Sequence, residues 1–277
     1  MTDRSGGIPV PDRVIHRPGC QVGHRIYWHH TLDSTNEQAL RLAAGIAGDP
    51  GLHGVAVSAG GQSRGRGQHG RVWTSPPLSS VLVSVLLDLD QEASRPALLT
   101  AWAAVATREA ASRWLPEKPR IKWPNDIYFS GRKIAGILVE KGRATVVGVG
   151  MNVSQTESDF TEAGLETGGS LAMYARGLAP GHAEVLEALL DCMDQYLPAI
   201  QRRETAELER AWRDGLQLIG HPARLEAVDR VALGVVEEVS LTGVVLVQDD
   251  GARRQFPPER ILRIHPLADF LRDAPDW

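Results

Sequence analysis

Apolar positions along this chain recur with two different periods. Residues 25–31 and 55–59 are short runs of strand length, and residues 80–87 form an almost wholly apolar one. Behind Asp33-Ser34-Thr35-Asn36 the period lengthens: Leu40, Ala43, Ala44 and Ala47 lie at helical spacing, with Gly45 or Gly48 placed to stop the helix. Ser34 with Glu37 three residues on has the pattern of a capping box. Residues 96–115 predict a long helix that buries Leu98, Leu99, Trp102, Val105 and Ala106 and breaks at Pro116 and Pro119. A short strand follows, ending in the Pro124-Asn125-Asp126 turn. Ser130-Gly131-Arg132 predicts a hairpin turn into strands at 133–140 and 143–149.

Residues 186–203 predict an amphipathic helix bent or interrupted at Pro198, and a further helix runs to about Gly215. The pattern then changes. Short alternating segments occur at 223–228, 235–239, 243–248, 253–256 and 261–264, separated by Gly234, Leu241-Thr242-Gly243 and Asp249-Asp250-Gly251. Five short strands in so little chain predict a small antiparallel barrel. The expected division is a loose Gly/Pro-rich arm at 1–26, a main domain at 27–217, a small barrel at 218–268 and a tail at 269–277.

Composition narrows the classes. In 277 residues, hydrophobic content of 43% and charged content of 23% are those of a soluble globular protein with a sizeable core. A net charge of −4 gives no global basic field for nucleic acid. Cys20 and Cys192 fit no metal or redox spacing, so a reduced, cytoplasmic setting is expected. No stretch approaches the roughly 20 apolar residues of a membrane span, and residues 1–11 lack the apolar core of a secretion signal.

Against this body, residues 60–73 stand out: a tract rich in glycine, with Arg64, Arg66, Arg71, His69 and a closing Trp73. Its glycines let backbone N–H groups approach a ligand, arginines add forked donors for phosphate or carboxylate, and Trp73 offers a flat surface for an adenine-like ring. A solvated Gly/Arg loop has the same composition. Likewise, Ser34 and Thr35 can be a helix cap, or donors to an anionic or carbonyl-bearing ligand. Lys133 can be a solvated strand end, or a cation at the mouth of the apolar strand 134–139, whose Gly136 signals a close approach.

There is no Gly-Lys-Ser/Thr phosphate loop, no dinucleotide fingerprint, no nucleophile–base pair and no metal-ligand spacing. The remaining set handles negative charge: a cationic glycine loop, Lys133, and an Asn125-Asp126 pair able to hold Mg²⁺ with phosphate oxygens. Without a protein nucleophile, the natural chemistry is attack by a bound substrate on a nucleotide phosphate, such as a carboxylate on the α-phosphate of ATP.

The motifs then resemble, in order, those of the biotin–protein ligases. They are residues 33–36, Gln62 with residues 64–73, residues 122–126, residues 132–140 and residues 148–153, within a likeness spanning about residues 27–265. The resemblance implies an α+β catalytic domain with a mixed β-sheet of the biotin/lipoate ligase type and helices packed on it. It adds a small C-terminal β-barrel of the Src-homology-three type. It implies ATP and biotin as substrates, Mg²⁺, biotinyl-5′-AMP as intermediate and a lysine of a biotin carboxyl carrier protein as acceptor. The carrier would be a subunit of acetyl-CoA carboxylase or of another biotin-dependent carboxylase. By position, Ser34, Thr35, Asn36 and Gln62 would serve biotin, the first two and Gln62 at its ureido ring. Arg66, Gly67 and Gln68 would lie over the carboxylate and α-phosphate, and Gly136 would leave room beside biotin. Lys133 and Arg66 would be catalytic. Arg71, Trp73, Lys122, Asn125, Asp126 and Asn152 would serve the nucleotide, and Asp126 the metal.

Two departures matter. Only about 26 residues precede the catalytic pattern, too few for the DNA-binding winged helix of some relatives, which implies a monofunctional enzyme. Rival readings are a lipoate or octanoate ligase of the same fold, whose ligand head is apolar, a non-catalytic biotin sensor, and a nucleic-acid binder using the Arg/Gly tract. The polar trio Ser34, Thr35 and Gln62 favours a ureido ring, intact Lys133 and Asp126 favour catalysis, and the net charge disfavours nucleic acid. The second departure is Gln68, where many relatives carry arginine, so this loop holds less positive charge over a mixed anhydride. Gln68→Arg is expected to slow escape of the acyl-adenylate, measured as its rate of release; equal release from both proteins disposes of this reading.

Overall fold

The computed structural model describes residues 8–45, 49–142 and 144–267. The expectations for Ala47, Gly48, Arg143, the first residues of the arm and the 269–277 tail lie outside the described residues. Ten strands come first: β1 (Arg13–His16), β2 (Arg25–His29), β3 (Ala56–Ala59), β4 (Gly65–Arg66), β5 (Val72–Trp73), β6 (Ser80–Leu87), β7 (Arg120–Lys122), β8 (Asp126–Phe129), β9 (Arg132–Lys141) and β10 (Thr145–Asn152). The helices are α1 (Thr35–Gly45), α2 (Pro96–Ala111), α3 (Glu157–Glu162), α4 (Leu171–Tyr174), α5 (His182–Arg202) and α6 (Ala206–Leu216). Eight strands form one mixed sheet in the order β1-β2-β3-β6-β10-β9-β8-β7, while β4 and β5 make a separate hairpin. Only β2 and β3 run parallel, joined through α1; the other neighbours are antiparallel.

Strand alternation gives the sheet two unlike faces. On β6 and β10, Val81, Val83, Val85, Leu87, Val147, Val149 and Met151 enter the main core with α2 and α5. The opposite positions carry Ser80, Ser84, Gly148, Gly150 and Asn152. At one end of that second face, Leu86 and Val146 pack with Ala39, Leu42 and Ala43 of α1. The first turn of α1 borders the rest of this face at Gly148 and Ser84, and this is where the cavity lies.

Helix α2 is buried nearly all round, as its apolar composition requires. Trp102 is fully buried and donates its Nε1 hydrogen to the Met193 carbonyl of α5 at 3.0 Å. Helix α5 runs through Pro198 without interruption, although the proline has no N–H to give to the Asp194 carbonyl. It also begins earlier than the apolar period suggests, where Glu184 accepts the Gly181 N–H at 2.8 Å.

Two expectations are corrected. Residues 13–16 of the supposed loose arm form β1, while the strand expected from Arg25 is present as β2. All four side chains of β1 are exposed, so no apolar alternation marked it as a strand. At the other terminus, β11 (Pro222–Ala227), β12 (Val231–Ser240), β13 (Gly243–Val247), β14 (Arg253–Phe256) and β15 (Ile261–Pro266) form an antiparallel sheet. Its order is β14-β13-β12-β11-β15, and no pairing joins β14 to β15 among the described residues, so the expected barrel is not closed. Strand β14 is short, and Arg253, Arg254 and Gln255 on it are exposed, leaving a charged edge. The small sheet shares the main core through Ala223, Leu225, Val236, Leu246 and Ile264. Trp123 Nε1 also reaches the Ile261 carbonyl at 3.4 Å.

Trp102→Ala removes the largest fully buried side chain between α2 and α5. It should lower the unfolding free energy by about 3–5 kcal/mol, read from guanidinium unfolding. Val72→Ala, at a 70% exposed position, should change it by less than about 0.5 kcal/mol.

Candidate active site

The uncovered part of the sheet floors a cavity of about 680 Å³. Every residue given a role by the resemblance lines it, though Arg64 of the same tract does not: Ser34, Thr35, Asn36, Gln62, Arg66, Gly67, Gln68, Arg71, Trp73, Lys122, Asn125, Asp126, Lys133, Gly136 and Asn152. Strand pairing explains why residues so distant in sequence meet. Gly136 and Gly150 are register partners, Gly148 faces Leu138 and Ser84, and Asp126 pairs with Gly136.

One end is built by the first turn of α1. Ser34, Thr35 and Asn36 are buried there. The Thr35 N–H and hydroxyl both donate to Gln62 Oε1, at 2.7 and 3.1 Å, so a distant glutamine satisfies an otherwise orphaned donor of the helix. Ser84 Oγ lies 2.8 Å from Thr35 Oγ1 and 2.5 Å from Asn36 Oδ1. Asn36 Nδ2 donates to Glu140 at 2.8 Å and to the Leu138 carbonyl at 3.3 Å. A Cβ on Gly148 would stand 2.0 Å from Asn36 Oδ1, which is why that strand position is glycine. The expected capping box is half made. Ser34 Oγ accepts a long 3.5 Å bond from the Glu37 N–H, but Asp33 Oδ1 takes the Ser34 N–H at 2.7 Å. The Glu37 carboxylate turns instead to Arg66 at 2.7 Å. Burial pushes the Asp33 carboxyl up, but hydrogen bonds from Arg41 and the Ser34 amide, with the Arg41 and Arg64 charges, outweigh it and hold the group below the usual carboxylate range.

The other end is built by β7, β8 and β9. Asn125 Nδ2 donates to the Ile137 carbonyl at 2.7 Å, fixing the hairpin turn to the next strand. Lys133 Nζ stands 2.7 Å from Asp126 Oδ1. The approach is off hydrogen-bond direction, and this buried oxygen has no directed donor among the described residues. Lys122 Nζ lies 4.5 Å over the Tyr128 ring, whose phenol is pushed up by burial and then by Asp126, so it stays protonated. Asn152 is fully engaged. Its Nδ2 donates to the Gly169 carbonyl at 2.9 Å and its Oδ1 lies 3.0 Å from Gln155 Nε2 and 3.3 Å from Ser80 Oγ.

Over the cavity lies the β4–β5 hairpin, with Gly65 paired to Trp73 and Arg66 to Val72. Between them the Gly67 N–H donates to the Arg71 carbonyl at 2.8 Å, closing a tight tip. The Trp73 ring lies against the floor. A Cβ on Gly150 would be 2.6 Å from it and one on Gly136 would be 3.1 Å from it. Lys133 Nζ is 5.7 Å from the ring centroid. So Trp73 and Lys133 occupy the space that Gly136 leaves open. Trp73 Nε1 is buried with no hydrogen-bond partner among the described residues.

Sequence reading missed several lining groups. Phe160, Leu165, Thr167 and Gly168 close one side. The Lys133 N–H donates to the Thr167 carbonyl at 2.8 Å and the Gly169 N–H to the Lys133 carbonyl at 2.9 Å, tying that loop to the strand mouth. Glu226, Leu262, Arg263, Ile264 and His265 come from the small C-terminal sheet. Their contribution follows from packing that no local pattern records. Ser84 was legible: with Ser80 it places hydroxyls on alternate positions of one strand face.

Among the described residues no three His, Cys, Asp or Glu side chains gather to hold a metal. The buried Asp126 oxygen without a directed donor fits Mg²⁺ held by one carboxylate and by oxygens of a phosphate ligand.

These features define a class: an α/β pocket with polar donors at one end, a lysine–carboxylate pair at the other, and a basic hairpin across it. Residues 34–154 match the model of the biotin/lipoate A/B protein ligase family. The bifunctional ligase/repressor BirA of Bacillus subtilis is 29% identical over 85% of this chain and 73% of its own length. The biotin–[acetyl-CoA-carboxylase] ligase of Paracoccus denitrificans is 29% identical over 83% of this chain and 96% of its own. In fold, the chain resembles the biotin protein ligase of Aquifex aeolicus, solved with biotin and ATP, at a TM-score of 0.70 and 22% identity over 87% of this chain and 99% of that one. Both the family match over residues 34–154 and the likeness to these relatives fall on the segments that line the cavity.

Gly148→Ala must displace Asn36 and with it the first turn of α1. It should cost about 1–3 kcal/mol of stability, measured by urea unfolding. Gly61→Ala, whose Cβ would meet nothing closer than 3.9 Å, should be near neutral.

Proposed function

We propose that this chain is an ATP-dependent ligase that converts biotin to biotinyl-5′-AMP and transfers the biotinyl group to a lysine of a biotin carboxyl carrier protein. One observation carries the reading. A single cavity joins buried hydrogen-bonding groups at Thr35 and Gln62 to the Lys133–Asp126 pair, beneath a hairpin bearing Arg66 and Arg71. That polar end, whose groups pair with one another here, can exchange those bonds for bonds to a ureido ring, whereas an apolar dithiolane or acyl head offers none in return.

In the first step a biotin carboxylate oxygen bonds to the α-phosphorus of ATP, the bond to the bridging oxygen breaks, and pyrophosphate leaves. The protein supplies no nucleophile; it orients the two anions and offsets their charge. Lys133 is placed to serve both reacting groups, and Asp126 holds its ammonium until a ligand arrives. Mg²⁺ bound at Asp126, with Asn125 beside it, would neutralise charge on the departing pyrophosphate. In the second step the ε-amine of the carrier lysine bonds to the acyl carbon, AMP leaves with the bonding electrons, and the amine loses a proton. Arg66, Gly67 and Gln68 would lie over the acyl-phosphate region, while Trp73, Arg71, Lys122 and Asn152 would serve the nucleotide end, Asn152 by fixing the loop behind Lys133. Trp73, with its unbonded Nε1, must shift or pair when that end fills.

We assign the catalytic unit to residues 13–217, since β1 and β2 belong to its sheet, and read 218–268 as a small Src-homology-three-like unit whose β15 closes one wall of the cavity. The acceptor would be the carrier domain of acetyl-CoA carboxylase or another biotin-dependent carboxylase.

The test mixes protein, ATP, Mg²⁺ and labelled biotin with a biotin carboxyl carrier domain and measures covalent label. Label on the carrier is expected, with none from labelled lipoate on a lipoyl domain; the reverse overturns the reading. Lys133→Ala should cut the adenylation rate constant about 30- to 1000-fold, with a smaller change in biotin affinity.

A further inference from the structure

Arg66 reaches from the hairpin to α1, and its guanidinium is gripped from two sides. Nη1 lies 2.7 Å from Glu37 Oε2 on α1, and Nη2 lies 2.6 Å from Glu140 Oε1 on β9. Glu140 is the more enclosed partner, with 18% of its side chain exposed against 38% for Glu37. Two carboxylates on one guanidinium leave the trio with a net charge of −1. In this arrangement Arg66 brings no surplus positive charge to an anionic ligand. Its bonds instead decide where the hairpin root sits.

Glu140 does not stop at Arg66. Its second oxygen accepts from Asn36 Nδ2 at 2.8 Å. From Asn36 the contacts run to Ser84 Oγ, to Thr35 Oγ1 and to Gln62 Oε1. An unbroken polar chain therefore links the hairpin to the groups at the α1 end of the cavity. Isolated surface ion pairs contribute little to stability, but a partly buried carboxylate shared between a forked cation and a buried amide fixes geometry.

We propose that Glu140 is a positioning residue. With Glu37 it seats Arg66, and through Asn36 it couples closure of the hairpin to occupancy of the Thr35–Gln62 end, which sets how long the acyl-adenylate is retained. The proposal rests on the ligase reading and adds residues that contact neither substrate.

Glu140→Gln keeps the size of the side chain and an oxygen for Asn36 but removes the charge on Arg66. Biotin dissociation, measured without ATP, and release of biotinyl-AMP should each quicken about tenfold. The single-turnover adenylation rate constant should fall less than about threefold, and the melting temperature should stay near that of the parent. A structural role alone would move the melting temperature without this split. Arg66→Ala should quicken release similarly, and the double variant should be no worse than Arg66→Ala alone. Unchanged release in Glu140→Gln, or additive effects in the double variant, overturns the proposal. Should Glu140→Gln fail to fold, Glu37→Gln and its double with Arg66→Ala carry the same cycle. A parent protein that does not bind biotin at all overturns the ligase reading and this proposal together; a parent that binds, with additive variants, overturns only this one.

Discussion

Close approach over glycine is the constraint from which the site follows. On one face of the main sheet, Gly148 admits Asn36, Gly150 admits the Trp73 ring, and Gly136 admits both Trp73 and Lys133. Side chains at these positions would fill the face, as valines and methionine fill the opposite one against α2 and α5. Removing three side chains from adjacent strands leaves a floor low enough for a helix N-terminus, a hairpin and a lysine to converge on it. The cost is a cavity in place of packed core, and the long α2, buried nearly all round, supplies packing on the other side.

Charge is arranged on the same frame. Asp33 holds Arg41 and approaches Arg64, Glu37 and Glu140 hold Arg66, and Asp126 holds Lys133. These cations are thus held by carboxylates, whereas Lys122 lies over the Tyr128 ring and Arg71 makes no carboxylate pair among the described residues. An anionic ligand competes with Asp126 for Lys133, while Arg66 stays seated on its two carboxylates, so the ligand meets a preorganised surface. This ordering also makes the hairpin a part of the pocket wall and not a loose loop of arginines.

How much of this could be read from the chain alone depends on whether a residue's role is local. The strands at 55–59 and 80–87, the helix from Pro96 and the turn at 130–132 declare themselves by period and by turn residues, and they are present. The lining residues were legible as motifs because each sits on a short segment with unusual composition. What they do with one another was not. That Asn36 is locked to Glu140, that Asn152 fastens the loop behind Lys133, and that β15 walls the cavity all depend on strand order and register. Strand β1 escaped because an exposed edge carries no alternation, and the capping box was half wrong because Arg66 competes for Glu37. Barrel closure could not be read from five short strands, since spacing counts strands but says nothing of which edges meet.

The central claim is that ligand lies between the glycine-bearing face and the β4–β5 hairpin. Amide hydrogen exchange of residues 64–73, with and without biotin and a non-hydrolysable ATP analogue, tests it directly. The account predicts marked slowing at these amides and at Thr35 when both ligands are present. Unchanged exchange across the hairpin, with protection appearing elsewhere in the chain, would contradict it.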